Sequence, residues 1–204
     1  MRPITRLARG FVRLEIDMWV SLARAFARRP DIAGGTPIRY AGAESAFLWA
    51  FLVISAVEIP AVHLLIPWPP VQLVALILGA WGLLWMAGML AAHHMYPHLL
   101  TDEHLRVRYL RRLTLDLPLA DIRAVRNDLR AYDGPKTLQL TGPNGTTLAV
   151  ILGNSTNIRI DLTEPRTFHT PHGDFTASTI AFWADDPQTT VASIRVAMVA
   201  DRTA

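Results

Sequence analysis

Ser45–Ile66, SAFLWAFLVISAVEIPAVHLLI, and Val71–Ala92, VQLVALILGAWGLLWMAGMLAA, decide the fold. Each stretch is 22 residues long, about 33 Å as a helix, which matches a hydrocarbon core of about 30 Å. Only Pro67-Trp68-Pro69-Pro70 stands between them, too short for a domain and unable to continue a helix. The pattern predicts two membrane spans closed into a tight antiparallel hairpin. Arg24, Arg28, Arg29 and Arg39 precede the pair, Arg106, Arg108, Arg111 and Arg112 follow it, and the short turn carries no basic residue. Cytoplasmic flanks collect Lys and Arg, so both termini and the bulk of the chain are expected on the cytoplasmic side. Trp68 then lies at the opposite interface, with Tyr40, Trp49 and Tyr96 as aromatic anchors near the cytoplasmic one. Ala75 with Gly79, and Gly88 with Ala92, have the four-residue spacing that lets helix backbones approach closely, against the first span or against another protein.

Working outward, the 204 residues are 51% apolar and only 18% charged, against about a quarter charged in an ordinary soluble domain. The two apolar runs leave the C-terminal hundred residues for one independent core. The expected organisation is an amphipathic interfacial helix over 1–30, a linker over 31–44, the two-helix transmembrane hairpin over 45–96 and a cytosolic domain over 97–204. With no cysteine, disulfides, thiolate metal sites and cysteine nucleophiles are excluded.

In the N-terminal stretch Ile4, Leu7, Phe11, Leu14, Met18, Leu22 and Phe26 recur at helical spacing, while Arg6, Arg9 and Arg13 share another face. That is the pattern of an amphipathic helix lying in a membrane interface, drawn to anionic lipid. Glu15 and Asp17 interrupt what would otherwise be a signal-peptide apolar core, so the helix is expected to be retained. Arg29-Pro30 ends it, and Ala33-Gly34-Gly35-Thr36-Pro37 reads as the linker.

After His98 the period changes to two. Leu105, Val107 and Tyr109 alternate with His104, Arg106 and Arg108, and further strands are expected at Leu113–Leu119, Ile122–Arg126, Thr137–Thr141, Thr146–Leu152, Ile158–Leu162 and Ala177–Trp183. Gly142-Pro143-Asn144-Gly145 joins the fourth and fifth of these as a hairpin. Asp185-Asp186-Pro187 caps a last helix carrying Val191, Ile194 and Met198 on one face.

HLLTDEHLRVR (98–108), LPLADI (117–122) and the closing strand before DDP (185–187) resemble the bacterial pleckstrin-homology-like (PH-like) domains of membrane proteins, over roughly Tyr96 to Asp201. The resemblance implies an α+β domain, a bent antiparallel sheet or barrel of about seven strands capped by a C-terminal helix. It also implies a membrane-associated interaction or assembly module in a bacterial inner membrane rather than an enzyme. The eukaryotic namesake holds phosphoinositide headgroups with basic residues on its first strands and their loop, a stretch occupied here by Arg106, Arg108, Arg111 and Arg112. With Arg6, Arg9 and Arg13 these are the candidate lipid and partner contacts, the expected partners being another membrane protein and anionic lipid.

Other residues invite chemistry. Glu58 falls near mid-depth of the first span, where an ionisable group is costly enough to suggest a role, with His63, Ser55, backbone freed near Pro60 or another subunit as its candidate partner. His93, His94, His98 and His104 cluster after the second span. His94 and His98 have the spacing that can put two imidazoles on one helical face, although Pro97 disfavours a continuous helix there, and His93, His94 and His98 are the candidate metal ligands. These features define the alternative function, a small cofactor-binding or proton-handling subunit of a membrane redox or transport complex. His169, His172 and Asp174 form a further His/carboxylate group in what reads as a loop. No phosphate loop, GxSxG elbow, HExxH pair or nucleic-acid stretch occurs, so no cofactor and no nucleic-acid partner is expected.

Overall fold

The computed structural model describes residues 3–203 except 33, 135, 143 and 144, and the side chains of 3–9, 11, 43, 202 and 203 lie outside the description. The chain divides into two compact units, Met1–Pro30 with Ser45–Met95, and Asp31–Glu44 with Tyr96–Ala204.

The first unit is helical: α1 (Pro3–Phe26), α2 (Gly42–Leu65, its first turn in the other unit) and α3 (Pro69–Met95). Two of these helices, α2 and α3, are long and apolar enough to cross a membrane, and few of their side chains are covered by the rest of the chain. The turn between them is closed by Gln72, whose amide donates to the carbonyls of His63 (2.9 Å) and Ile66 (2.7 Å). These belong to the end of α2, where helical carbonyls have no partner of their own.

The two small-residue pairs of α3 serve different neighbours. Gly79 faces Ile59 of α2, where a Cβ would come within 2.8 Å of the isoleucine side chain. Gly88 faces α1 instead: a Cβ there would lie 2.9 Å from the carbonyl oxygen of Met18. The first span is therefore the neighbour of only one pair. Among the described side chains of α1 the buried ones are Asp17, Met18 and Ser21, and the Ser21 hydroxyl donates to the Asp17 carbonyl. Leu14, Trp19 and Phe26, of the apolar stripe or beside it, stay exposed, while Ile4, Leu7 and Phe11 fall outside the described side chains.

Among its described residues the second unit holds nine strands in two sheets. One has the order β1 (Thr36–Ile38), β2 (His98–Leu100), β3 (His104–Tyr109), β4 (Leu113–Pro118). In the other, the order is β5 (Ile122–Ala131), β8 (Ser155–Thr170), β9 (Gly173–Phe182), β7 (Thr147–Val150), β6 (Leu138–Thr141). The core between them is built by the alternating inward residues of the strands, among them Leu105, Val107, Leu115, Leu117, Ile158, Ile160 and Ile180, with Ile194 of α4 (Pro187–Thr203). The cap at α4 forms as the sequence predicts: Pro187 opens the helix and the Asp186 carboxylate accepts the Thr189 N–H at 3.1 Å. This hydrogen bonding lowers the Asp186 pKa.

The expected seven-strand antiparallel sheet or barrel needs correction in three respects. There are two sheets, not closed into a barrel, and β7 pairs with β9 in parallel. Residues 31–44, read as a linker, contribute β1, which pairs antiparallel with β2 through Thr36↔Leu100 and Ile38↔His98. Finally, the stretch read as a loop before the last strand is the end of a long β8–β9 hairpin, paired through Thr167↔Thr176, Phe168↔Phe175 and His169↔Asp174. Its sequence conceals the strand, because polar residues occupy most positions of both faces; Phe168 reaches the core, and half-buried Phe175 packs against it. Cross-strand pairs such as the Thr167–Thr176 hydroxyl bond (2.9 Å) and the His169–Asp174 contact (2.8 Å) support it. The β6–β7 hairpin forms, but Pro143 and Asn144 of its turn lie outside the described residues.

Candidate functional site

His98 stands at the start of β2 and is enclosed on every side. Its Nε2–H donates to the Trp183 carbonyl and its Nδ1 accepts the Arg108 N–H, both at 2.9 Å. Tyr40 stacks on the ring at 4.6 Å between centroids, and Phe182 meets it edge-on. Burial pushes its pKa down to about 4, with the Arg108 charge adding to the effect against the two backbone bonds. With both nitrogens committed to the backbone, His98 is a structural histidine, and its place among the candidate metal ligands is corrected. The Tyr40 hydroxyl accepts the Leu110 N–H at 3.0 Å, and burial pushes this phenol's pKa upward. Tyr40 and Tyr96, expected as interfacial anchors, are buried side chains, whereas Trp49 and Trp68 are exposed.

The basic residues of β3 and β4 part company. Arg108 is buried, donating to the Asp31 carbonyl at 2.9 Å with the Asp31 carboxylate at 3.5 Å. Burial lowers its pKa and Asp31 opposes the shift. It holds the β1 end of the chain against β3 and is withdrawn from the candidate lipid contacts. Arg106 is half-buried and pairs with Asp116 on the facing strand at 3.1 Å. Arg111 and Arg112 project from the β3–β4 turn and are exposed, as is Arg13 on α1. Arg6 and Arg9 lie outside the described side chains.

His93 and His94 each direct Nδ1 to the carbonyl four residues back, Met89 and Leu90, at 2.9 Å. His93 is buried and His94 exposed, so the adjacent rings diverge. Among the described residues no group of three or more His, Asp or Glu could hold a metal. His169 pairs with Asp174 at the exposed end of the β8–β9 hairpin.

Glu58 lines a groove between α2 and α3 of about 440 Å3, with Ser55, Ile59 and Val62 on one wall and Gly79, Gly82 and Trp85 among the residues of the other. Ser55, Glu58, Ile59 and Val62 form one helical stripe. The helices meet at Ile59–Gly79, and beside Gly82 the space is open. Neither Glu58 nor Ser55 makes a side-chain hydrogen bond or ion pair among the described residues. His63 is exposed near the end of α2 and is not a groove residue.

Sequence reading missed a polar cluster on the outer face of the larger sheet. Asp161, almost fully buried, receives Arg126 (3.2 Å), Arg159 (3.1 Å) and the Thr179 hydroxyl (3.2 Å). It also missed Asn157, whose amide closes two bonds with the Ala184 backbone. Both arise from β5–β8–β9 pairing, and the alternation of Ile158 and Ile160 with Asn157, Arg159 and Asp161 is the one signal in the sequence. No family model, curated protein or solved structure matches the chain.

Proposed function

We propose that this chain is a membrane-anchored interaction and assembly module. In this reading α2 and α3 cross a bacterial inner membrane as a hairpin, α1 lies at the cytoplasmic interface, and the sheet unit is a PH-like domain in the cytosol. The observation that carries it is the pairing of β1 with β2. One strand precedes the two apolar helices and the other follows them, so the flanks of the hairpin are held side by side. A hairpin that crosses a bilayer twice returns its ends to one face, as this pairing requires. A β-rich unit followed by a single C-terminal helix packed on its core supports the PH-like assignment.

The contacts with anionic lipid and with a partner membrane protein fall to Arg13, Arg111 and Arg112, the exposed members of the basic set among the described side chains, with Arg106 beside them. Exposed Leu14, Trp19 and Phe26 give α1 the apolar side an interfacial helix needs. The test is purification of the full chain from native membranes in mild detergent, with co-purifying proteins identified by mass spectrometry and metals and haem quantified on the same sample. A stable protein partner is the expected outcome. A metal or haem near one per chain, lost in His93→Ala and His94→Ala, would overturn this reading and make the chain a redox or transport subunit.

A further inference from the structure

Glu58 is out of place on an apolar helix. In hydrocarbon a carboxyl without a hydrogen-bond partner is strongly disfavoured, and side chains of this kind turn to another helix or a water-filled cavity. Within the chain the nearby polar side chains do not meet it: His63 lies outside the groove, Gln72 is spent on the end of α2, and Ser55, one turn away on the same stripe, is equally without a side-chain hydrogen bond. Both open into the α2–α3 groove, whose far wall at Gly82 has room for an incoming side chain.

We infer that the α2–α3 groove seats a second copy of this chain, so that the protein forms a two-fold dimer in the membrane with the two Glu58 carboxyl groups bonded across the axis. The inference rests on the membrane-spanning reading. Two copies inserted in the same sense are related by an axis along the membrane normal, which places identical residues at identical depth. A neutral carboxyl group both donates and accepts, so it is complementary to itself, and two of them satisfy each other with no further group. Ser55, one turn away, meets its own counterpart in the same way. Gly82 of α3, with open space beside it, permits the close approach, and polar side chains supply the bonds that hydrocarbon cannot.

The absence of cysteine makes the test direct. Single Val62→Cys (groove stripe) and Val57→Cys (opposite, exposed face) chains are reconstituted in liposomes and oxidised, and association of the labelled full chain is followed by energy transfer on dilution with lipid. Carbonate extraction checks insertion. Expected results are disulfide-linked dimers for Val62→Cys and few for Val57→Cys. Glu58→Leu should weaken association about 3- to 30-fold, while Glu58→Gln, an amide that also donates and accepts, should stay close to the native value. Equal cross-linking at both positions, native association in Glu58→Leu, or an inserted chain that stays monomeric would overturn the dimer and leave the anchor reading standing. Val62→Cys cross-links formed only to a different protein in native membranes would overturn it equally. A chain extracted by carbonate would overturn both.

Discussion

His98 and Glu58 are titratable side chains with opposite solutions. In the sheet unit, His98 is buried completely and both nitrogens find backbone partners. In the helical unit, Glu58 faces outward from an apolar helix and has no partner among the described residues. The sheet unit repeats its solution at Asn157, Asp161 and Arg108. Among its described residues, Arg106 Nε, Asp116 Oδ1 and Trp183 Nε1 are buried atoms that find no such bond. A polar group met inside the chain serves the fold, whereas one left facing outward in apolar surroundings calls for something beyond the chain.

The sharpest way to break this comparison is to substitute both residues by leucine. His98→Leu leaves the Arg108 N–H and the Trp183 carbonyl buried without partners and should cost on the order of 3 to 4 kcal/mol in unfolding free energy. Glu58→Leu should leave the unfolding of a monomer unchanged and lose only association. Thermal and denaturant unfolding of the two variants in detergent separates the cases.

Acid should then act on the sheet unit through the same residue. His98 stays neutral in the folded chain down to about pH 4, whereas the unfolded chain takes up that proton near pH 6.5. Between these values the unfolded state binds more protons, so stability is fully present above about pH 6.5 and falls as the pH drops to about 4, by about 3 kcal/mol. Unfolding measured across that range should show the slope in the native chain and lose it in His98→Leu.

Packing of the helical unit depends on backbone approach, and Gly88→Leu drives a side chain into the Met18 carbonyl. The expected cost is about 1 to 3 kcal/mol in α1 docking, read as faster proteolysis within α1 with the sheet unit's unfolding unchanged. The smallest effect belongs to the surface: Arg111→Ala and Arg112→Ala should each weaken binding to vesicles containing anionic lipid by about 1 kcal/mol, suppressed by salt, without altering stability.

Local grammar was legible in the sequence. The apolar runs, the Asp186-Pro187 cap and the alternating strands from Leu105 to Ile160 are written in neighbouring residues, and they form. What was not legible depends on partners distant in the chain. Nothing local to Thr36-Pro37-Ile38 announces a strand, because its mate is roughly sixty residues away. Tyr40 reads as an interfacial aromatic until His98 is placed under its ring. The polar half of the β8–β9 hairpin has no alternation to betray it. Of the candidate site, Glu58 was conspicuous because an ionisable residue within an apolar run is visible without a structure. The commitment of Arg108 and His98 was hidden because it depends on Asp31 and Trp183.

The β1–β2 pairing also sets a schedule. During synthesis at about 5 to 20 residues per second, β1 leaves the ribosome several seconds before β2. Throughout that interval both apolar helices must be made and housed while Thr36–Ile38 waits without its neighbour. The smaller sheet is therefore completed late, after the helices have been disposed of. A chain stalled within α2 or α3 would expose an unmatched strand beside an unburied apolar segment, a species suited to capture by chaperones or proteases.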